Sequence, residues 1–197
     1  MNNRRLKRCS KTLKTEKYII RKLSNPTKGE GKADGLIPNG DRTNGYAWAM
    51  AESNNYIYIG SNRNIIFSLI KGIFNQGNLG EIITNILFKG DVPTYSTDNA
   101  AKIFRYNKKT NKIELVYKSE LAPEGKVYEI GYRSAVSFKP YNEDTESIYI
   151  GGFGSKYARI LKFKKNYVIG TDKPEVVFID NTGSSSIRAM ATHEDKL

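Results

Sequence analysis

The 197 residues carry 39% hydrophobic and 26% charged side chains, enough apolar surface for a folded domain and too much for a disordered chain. Thirty-two Lys and Arg against 20 Asp and Glu leave a formal net charge of +12, yet the excess is uneven. Residues 1–30 hold ten Lys or Arg against Glu16 and Glu30, a net of +8, and the remainder holds 22 against 18, a net of +4. A single cysteine, Cys9, excludes an intrachain disulfide framework.

Taken in chain order, the first feature is the basic arm, 1–30, expected to be solvated and partly disordered. A basic arm raises contact with nucleic acid or an anionic membrane as alternatives. Its one aromatic is Tyr18, and no zinc, helix-turn-helix or RNA-binding signature follows, so nucleic acid is not an expected partner. Tyr18-Ile19-Ile20 is too short for a membrane span or a signal-peptide core. The default expectation is a cytoplasmic location, and Lys17–Leu23 is expected to form a strand closing or preceding the first repeat.

From Tyr46 the chain repeats itself. Tyr46-Ala47-Trp48-Ala49-Met50-Ala51 leading to Tyr56-Ile57-Tyr58-Ile59-Gly60 returns as Tyr132-Arg133-Ser134-Ala135-Val136-Ser137-Phe138 leading to Ile148-Tyr149-Ile150-Gly151-Gly152. A third copy opens at Ser186-Ile187-Arg188-Ala189-Met190-Ala191. With Ala49, Ala135 and Ala189 as equivalents, the intervals are 86 and 54, and Ala101–Tyr106 matches Ala158–Phe163 at an interval of 57. Blade-like units run roughly 40 to 50 residues, so the longer interval is one unit with an insertion.

The insertion falls between Gly60 and Ala101, a step of 41 positions where Gly151 to Ala158 takes 7. Ile65, Ile66, Leu69, Ile70, Ile73 and Phe74, then Ile82, Ile83, Ile86 and Leu87, recur at helical spacing with glycines between. This spacing predicts a small helical hairpin within about 62–95, more readily a cap on neighbouring strands than a partner groove.

In the second unit the runs Arg133–Phe138, Ser147–Ile150, Arg159–Phe163 and Val176–Ile179 are rich in β-branched and aromatic residues and separated by turn-forming clusters. Pro140–Asp144 and Gly151-Gly152-Phe153-Gly154 are read as turns. The expected fold is all-β: a partial β-propeller of four-stranded antiparallel blades with a helical insertion. Blade one is expected over about 44–118, blade two over about 131–180, and the first strand of a third over about 186–192. Small residues on each first strand suit the crowded centre of a propeller. A propeller closes with at least about four blades. The chain is therefore expected to be part of a larger propeller, closed by further blades or by self-association.

Arg133-Ser134-Ala135-Val136 followed by Ile148-Tyr149-Ile150-Gly151-Gly152 resembles the kelch-type repeat, an Arg-small-apolar strand before an apolar strand ending in Gly-Gly. Tyr106-Asn107, with Ile113 seven positions after the tyrosine, is similar to the family's Tyr-Asp followed by Trp. Gly60-Ser61 departs from the double glycine. The resemblance spans about 44–192 and implies either recognition of proteins or glycans through loops or, in a galactose-oxidase-like minority, metal-supported catalysis. That minority's tyrosine, histidine and crosslinked-cysteine ligands have no counterpart here, so no metal, cofactor or catalytic residue is assigned.

Nothing in the rest of the chain assembles a reaction centre. Gly151–Lys156 lacks the Walker spacing and leads into a strand. His193 is the only histidine, Gly-x-Ser-x-Gly is missing, and Glu143, Asp144 and Glu146 cluster in a turn without calcium-loop spacing. In a meander, the entry to the first strand and the second-to-third connection share one end, which gathers the candidate ligand-binding residues Trp48, Tyr132, Arg133, Phe153 and Arg188. Packing is the competing role for Trp48, and hydrogen bonding between blades for the two arginines. The expected function is a non-enzymatic protein- or carbohydrate-binding scaffold. The alternative is part of a propeller-type lyase or hydrolase whose site is completed by further blades.

Overall fold

The computed structural model describes residues 44–63, 82, 86, 100–154, 157–194 and 196–197. The basic arm, the strand expected at Lys17–Leu23 and the helical hairpin lie outside these residues, apart from Ile82 and Ile86, which are helical and exposed. Among the described residues no helix is long and apolar enough to cross a membrane.

The fold is all-β. Strands β1 (Asn44–Ser53), β2 (Tyr56–Arg63), β3 (Lys102–Asn107) and β4 (Lys112–Lys118) form one antiparallel sheet in the order β1-β2-β3-β4. Strands β5 (Glu129–Phe138), β6 (Ser147–Gly154), β7 (Arg159–Phe163) and β8 (Glu175–Ile179) form a second in the order β5-β6-β7-β8. Within each sheet every strand pairs with its neighbour in sequence, the arrangement of a meander. Asn54 and Asn111, at φ 47° and 56°, turn the β1–β2 and β3–β4 hairpins in the left-handed conformation that asparagine tolerates.

The two sheets repeat each other down to their irregularities. Register shifts occur between Asn44 and Tyr46, Ala47 and Ala49, and Ile103 and Phe104 in the first. They recur between Glu129 and Gly131, Tyr132 and Ser134, and Ile160 and Leu161 in the second. Gly60 pairs with Ala49 and Ile103, and Gly151 pairs with Ser134 and Ile160. Ala49 is thus equivalent to Ser134 rather than to Ala135, since each is the partner of the glycine that ends the matching Tyr-Ile-Gly run.

One core joins the sheets. Ala49, Tyr58 and Ile103 of the first are buried with Ile148, Ile150, Leu161 and Phe163 of the second. The Phe163 ring meets Tyr58 at 5.7 Å, Tyr117 at 6.3 Å and Tyr167 at 5.1 Å between centroids. Such aromatic pairs add roughly 0.5–1.5 kcal/mol each beyond their buried area. Arg105 also crosses the junction, donating from Nη1 to the Tyr167 carbonyl at 2.9 Å.

Two expectations need correction. Gly151-Gly152-Phe153-Gly154 is not a turn, because β6 runs through it to Gly154. Its glycines admit close neighbours instead, and a Cβ on Gly151 would lie 2.7 Å from the Ile187 Cβ. The strand expected over 186–192 is reduced to its entry. Ser186 bridges Phe153, the Ile187 amide donates to the Gly152 carbonyl at 3.0 Å, and Arg188–Thr192 is irregular. A strand needs a ladder on which to form, and no described strand lies beside those residues.

That short entry still copies β5. The Ala158 amide donates to the Ser184 carbonyl at 3.0 Å, as the Ala101 amide donates to the Glu129 carbonyl at 3.0 Å. A Cβ on Gly60 would meet Tyr132, as one on Gly151 would meet Ile187. Ile187 therefore holds the position of Tyr132, and Arg188 that of Arg133.

Candidate functional site

The bulges on β1 and β5 decide where the candidate residues point. In a regular strand successive side chains alternate between faces, and a bulge inserts one unpaired residue whose side chain is re-aimed. The inserted residue is Trp48 on β1 and Arg133 on β5, the same repeat position on the two sheets.

The structure brings these two together. The Arg133 guanidinium lies over the Trp48 ring at 4.8 Å from its centroid and over the Phe153 ring at 4.3 Å. Its Nη1 donates to Ser186 Oγ at 3.2 Å, while its Nε is buried without a hydrogen-bond partner. Trp48 remains 40% exposed, and Arg133 and Phe153 are half-buried. Each cation–π contact is worth roughly 0.5–1 kcal/mol at such partly wet sites. The result is a cation in contact with two aromatic rings at a partly exposed position.

Arg188 stands next to this group. Burial of the Arg133 guanidinium, and after it the charge of Arg188, pulls Arg133 below the ordinary arginine value. Neither guanidinium forms an ion pair with an acidic side chain among the described residues. Two neighbouring cations without a carboxylate repel each other and attract an anion. Exposed Arg188, on the irregular segment, is free of any strand ladder.

Tyr132 is placed elsewhere. It is 0% exposed and packs in the core, adjacent in sequence to Arg133 but facing the other way. Burial first, then the nearby Glu129 carboxylate, raises its phenol well above the usual value near 10. Its hydroxyl meets no partner with acceptable hydrogen-bond geometry. Tyr132 therefore supports the site from behind and presents nothing to a ligand.

Beside it lies a buried ion pair that sequence reasoning missed. Arg159 Nε donates to Glu129 Oε1 at 2.5 Å, and their side chains are 7% and 0% exposed. Ser119 Oγ donates to Glu129 Oε2 at 2.7 Å and accepts from the Glu129 amide at 2.8 Å. The Arg159 guanidinium sits 3.7 Å from the Tyr128 ring centroid. Charges this deeply buried persist only when paired and hydrogen-bonded, and this set fixes the entry of β5 against β7. The one usable signal was an isolated Glu before the Gly-Tyr-Arg run, which without the fold reads as a surface acid.

Among the described residues no group of three or more His, Cys, Asp or Glu side chains is disposed to hold a metal ion. Lys162 is flanked by Glu143 and, at 3.8 Å, by Glu175, so part of the acidic turn at 143–146 is tied to β7 rather than free in solvent. No protein-family model matches the chain, and neither a curated protein nor a solved structure does.

Proposed function

We propose that the chain is a non-enzymatic recognition module of the β-propeller type, with kelch-like repeats, that presents Trp48, Arg133, Phe153 and Arg188 to a protein or carbohydrate ligand bearing an acidic group. The observation that carries this reading is the matched bulge, which aims Trp48 and Arg133 at one another from two sheets.

The chemistry follows from the arrangement. Arg133 is positioned by two rings and by Ser186 before any ligand arrives, so little rotamer entropy remains to be lost on binding. The two neighbouring guanidinium groups suit a carboxylate or sulfate, and the partly exposed Trp48 beside them suits the apolar side of a sugar or an aromatic side chain. Small first-strand residues and four-stranded meanders stacked face to face support the propeller component.

The test is binding to paired arrays of acidic and neutral glycans and of acidic and neutral peptides, with R133A and W48A beside the wild type. Preference for acidic members is expected, with R133A weakening binding at least about tenfold, as loss of one charge-assisted hydrogen bond of roughly 1.5–3 kcal/mol requires. Binding that ignores ligand charge, or that R133A leaves intact, overturns the proposal.

A further inference from the structure

Cations within these sheets come with carboxylates. Arg105 holds Glu114 at 2.9 Å, Arg159 holds Glu129 at 2.5 Å, and Lys162 is flanked by Glu143 and Glu175. Arg133 and Arg188 depart from that pattern. They occupy the same repeat position on consecutive units, and neither forms an ion pair with an acidic side chain among the described residues.

The backbone fixes them side by side. The Ile187 amide donates to the Gly152 carbonyl at 3.0 Å, and Ser134 Oγ donates to the Ile187 carbonyl at 3.0 Å. The residue before Arg188 is thus tied to β6 and to β5, the strand that carries Arg133. After burial, the charge of Arg188 is the second cause that lowers Arg133 below the ordinary arginine value. Arg133 Nη1 also donates to Ser186 Oγ at 3.2 Å, which leaves the serine its own hydrogen to donate.

A carboxylate or a sulfate ester is a monoanion and leaves one of these two positive charges uncompensated. A phosphate monoester carries about two negative charges at pH 7 and three terminal acceptor oxygens. Two guanidinium forks and one hydroxyl supply three donor groups for those oxygens, with a charge that balances the ligand's. We infer that the acidic group recognised beside Trp48 is a phosphate monoester dianion, clamped by Arg133, Arg188 and the Ser186 hydroxyl. The inference rests on the reading of this cluster as a recognition site and narrows it. Arg188 sets the preference, because with Arg133 alone a monoanion already balances the charge.

Calorimetric titration of the full chain with glucose 6-phosphate, glucose 6-sulfate and glucuronate, which differ in the charged group, tests it. Glucose 6-phosphate is expected to bind at least about tenfold tighter than the other two at pH 7.5, and to lose that advantage at pH 5, where it is a monoanion. Arginine stays charged over this range, and His193→Ala, which removes the only histidine, is expected to leave the pH dependence unchanged. Arg188→Ala, on an exposed residue outside the strand ladders, is expected to level the three affinities. A phosphoserine peptide titrated against its aspartate counterpart distinguishes a protein from a sugar as the carrier of the phosphate. Equal affinity for all three sugars, each lost in Arg133→Ala, would overturn the phosphate clamp and leave recognition of acidic ligands standing. A phosphate preference that survives Arg188→Ala or pH 5 overturns the clamp as well, and failure of every acidic probe to bind removes both readings.

Discussion

Glu129 shows how much a single side chain settles at this junction. Its carboxylate accepts from Arg159 on β7 and from Ser119 in the segment that leads out of β4, so one buried anion holds three parts of the chain. Glu129→Gln leaves the Arg159 guanidinium buried without its counter-charge, and the expected loss is about 3–5 kcal/mol of unfolding free energy. Urea denaturation with a strong drop in midpoint checks this, and a loss below about 1 kcal/mol would show that the pair is dispensable. That Trp48, Arg133 and Phe153 lie close together follows from the meander, which sets the entry to a first strand and the second-to-third connection at one end. Tyr132 was misplaced for a physical reason. A bulge depends on cross-strand pairing, and one inserted residue exchanges which of two neighbours faces the core.

At the scale of strands and sheets, periodicity carried most of the architecture. Arg159–Phe163 was legible to the residue, since a run of apolar and β-branched side chains bounded by turn formers has few other solutions. β5 and β6 run further than the sequence suggests, to Glu129 and Gly154. Glycines there serve close packing rather than turning, a choice made by the neighbouring segment and not by local preference. The packed sheets also bury tyrosines on three strands, and this gives a pH dependence. Burial is the first cause that raises the phenols of Tyr58 on β2, Tyr117 on β4 and Tyr132 on β5 above the ordinary value near 10. Above pH 10 the unfolded chain releases these protons while the folded chain retains them, so stability, fully present below pH 10, falls as pH rises. The expected outcome in alkaline titration is that tyrosinate absorbance from these residues appears together with loss of the strand signal. Full tyrosine ionisation with the circular dichroism intact would contradict it.

The described residues form two copies of one four-stranded unit packed face to face about a shared core, with the bulged residues of both copies in contact. The count of units and their antiparallel order were legible in the repeated strands. The register between them was not, because equivalence of Ala49 with Ser134 and of Arg133 with Arg188 emerges only from pairing and from the Gly60 and Gly151 contacts. Trp48 is the chain's only tryptophan, and its contact with Arg133 exists only while the two sheets are packed. Equilibrium unfolding in urea, followed in parallel by Trp48 fluorescence and far-UV circular dichroism, therefore tests the central claim. Superimposable transitions are predicted, with Arg133→Ala altering the emission of the folded state. Loss of the Trp48 signal at lower urea, with the strand signal retained, would contradict the account by showing sheets that separate before they unfold.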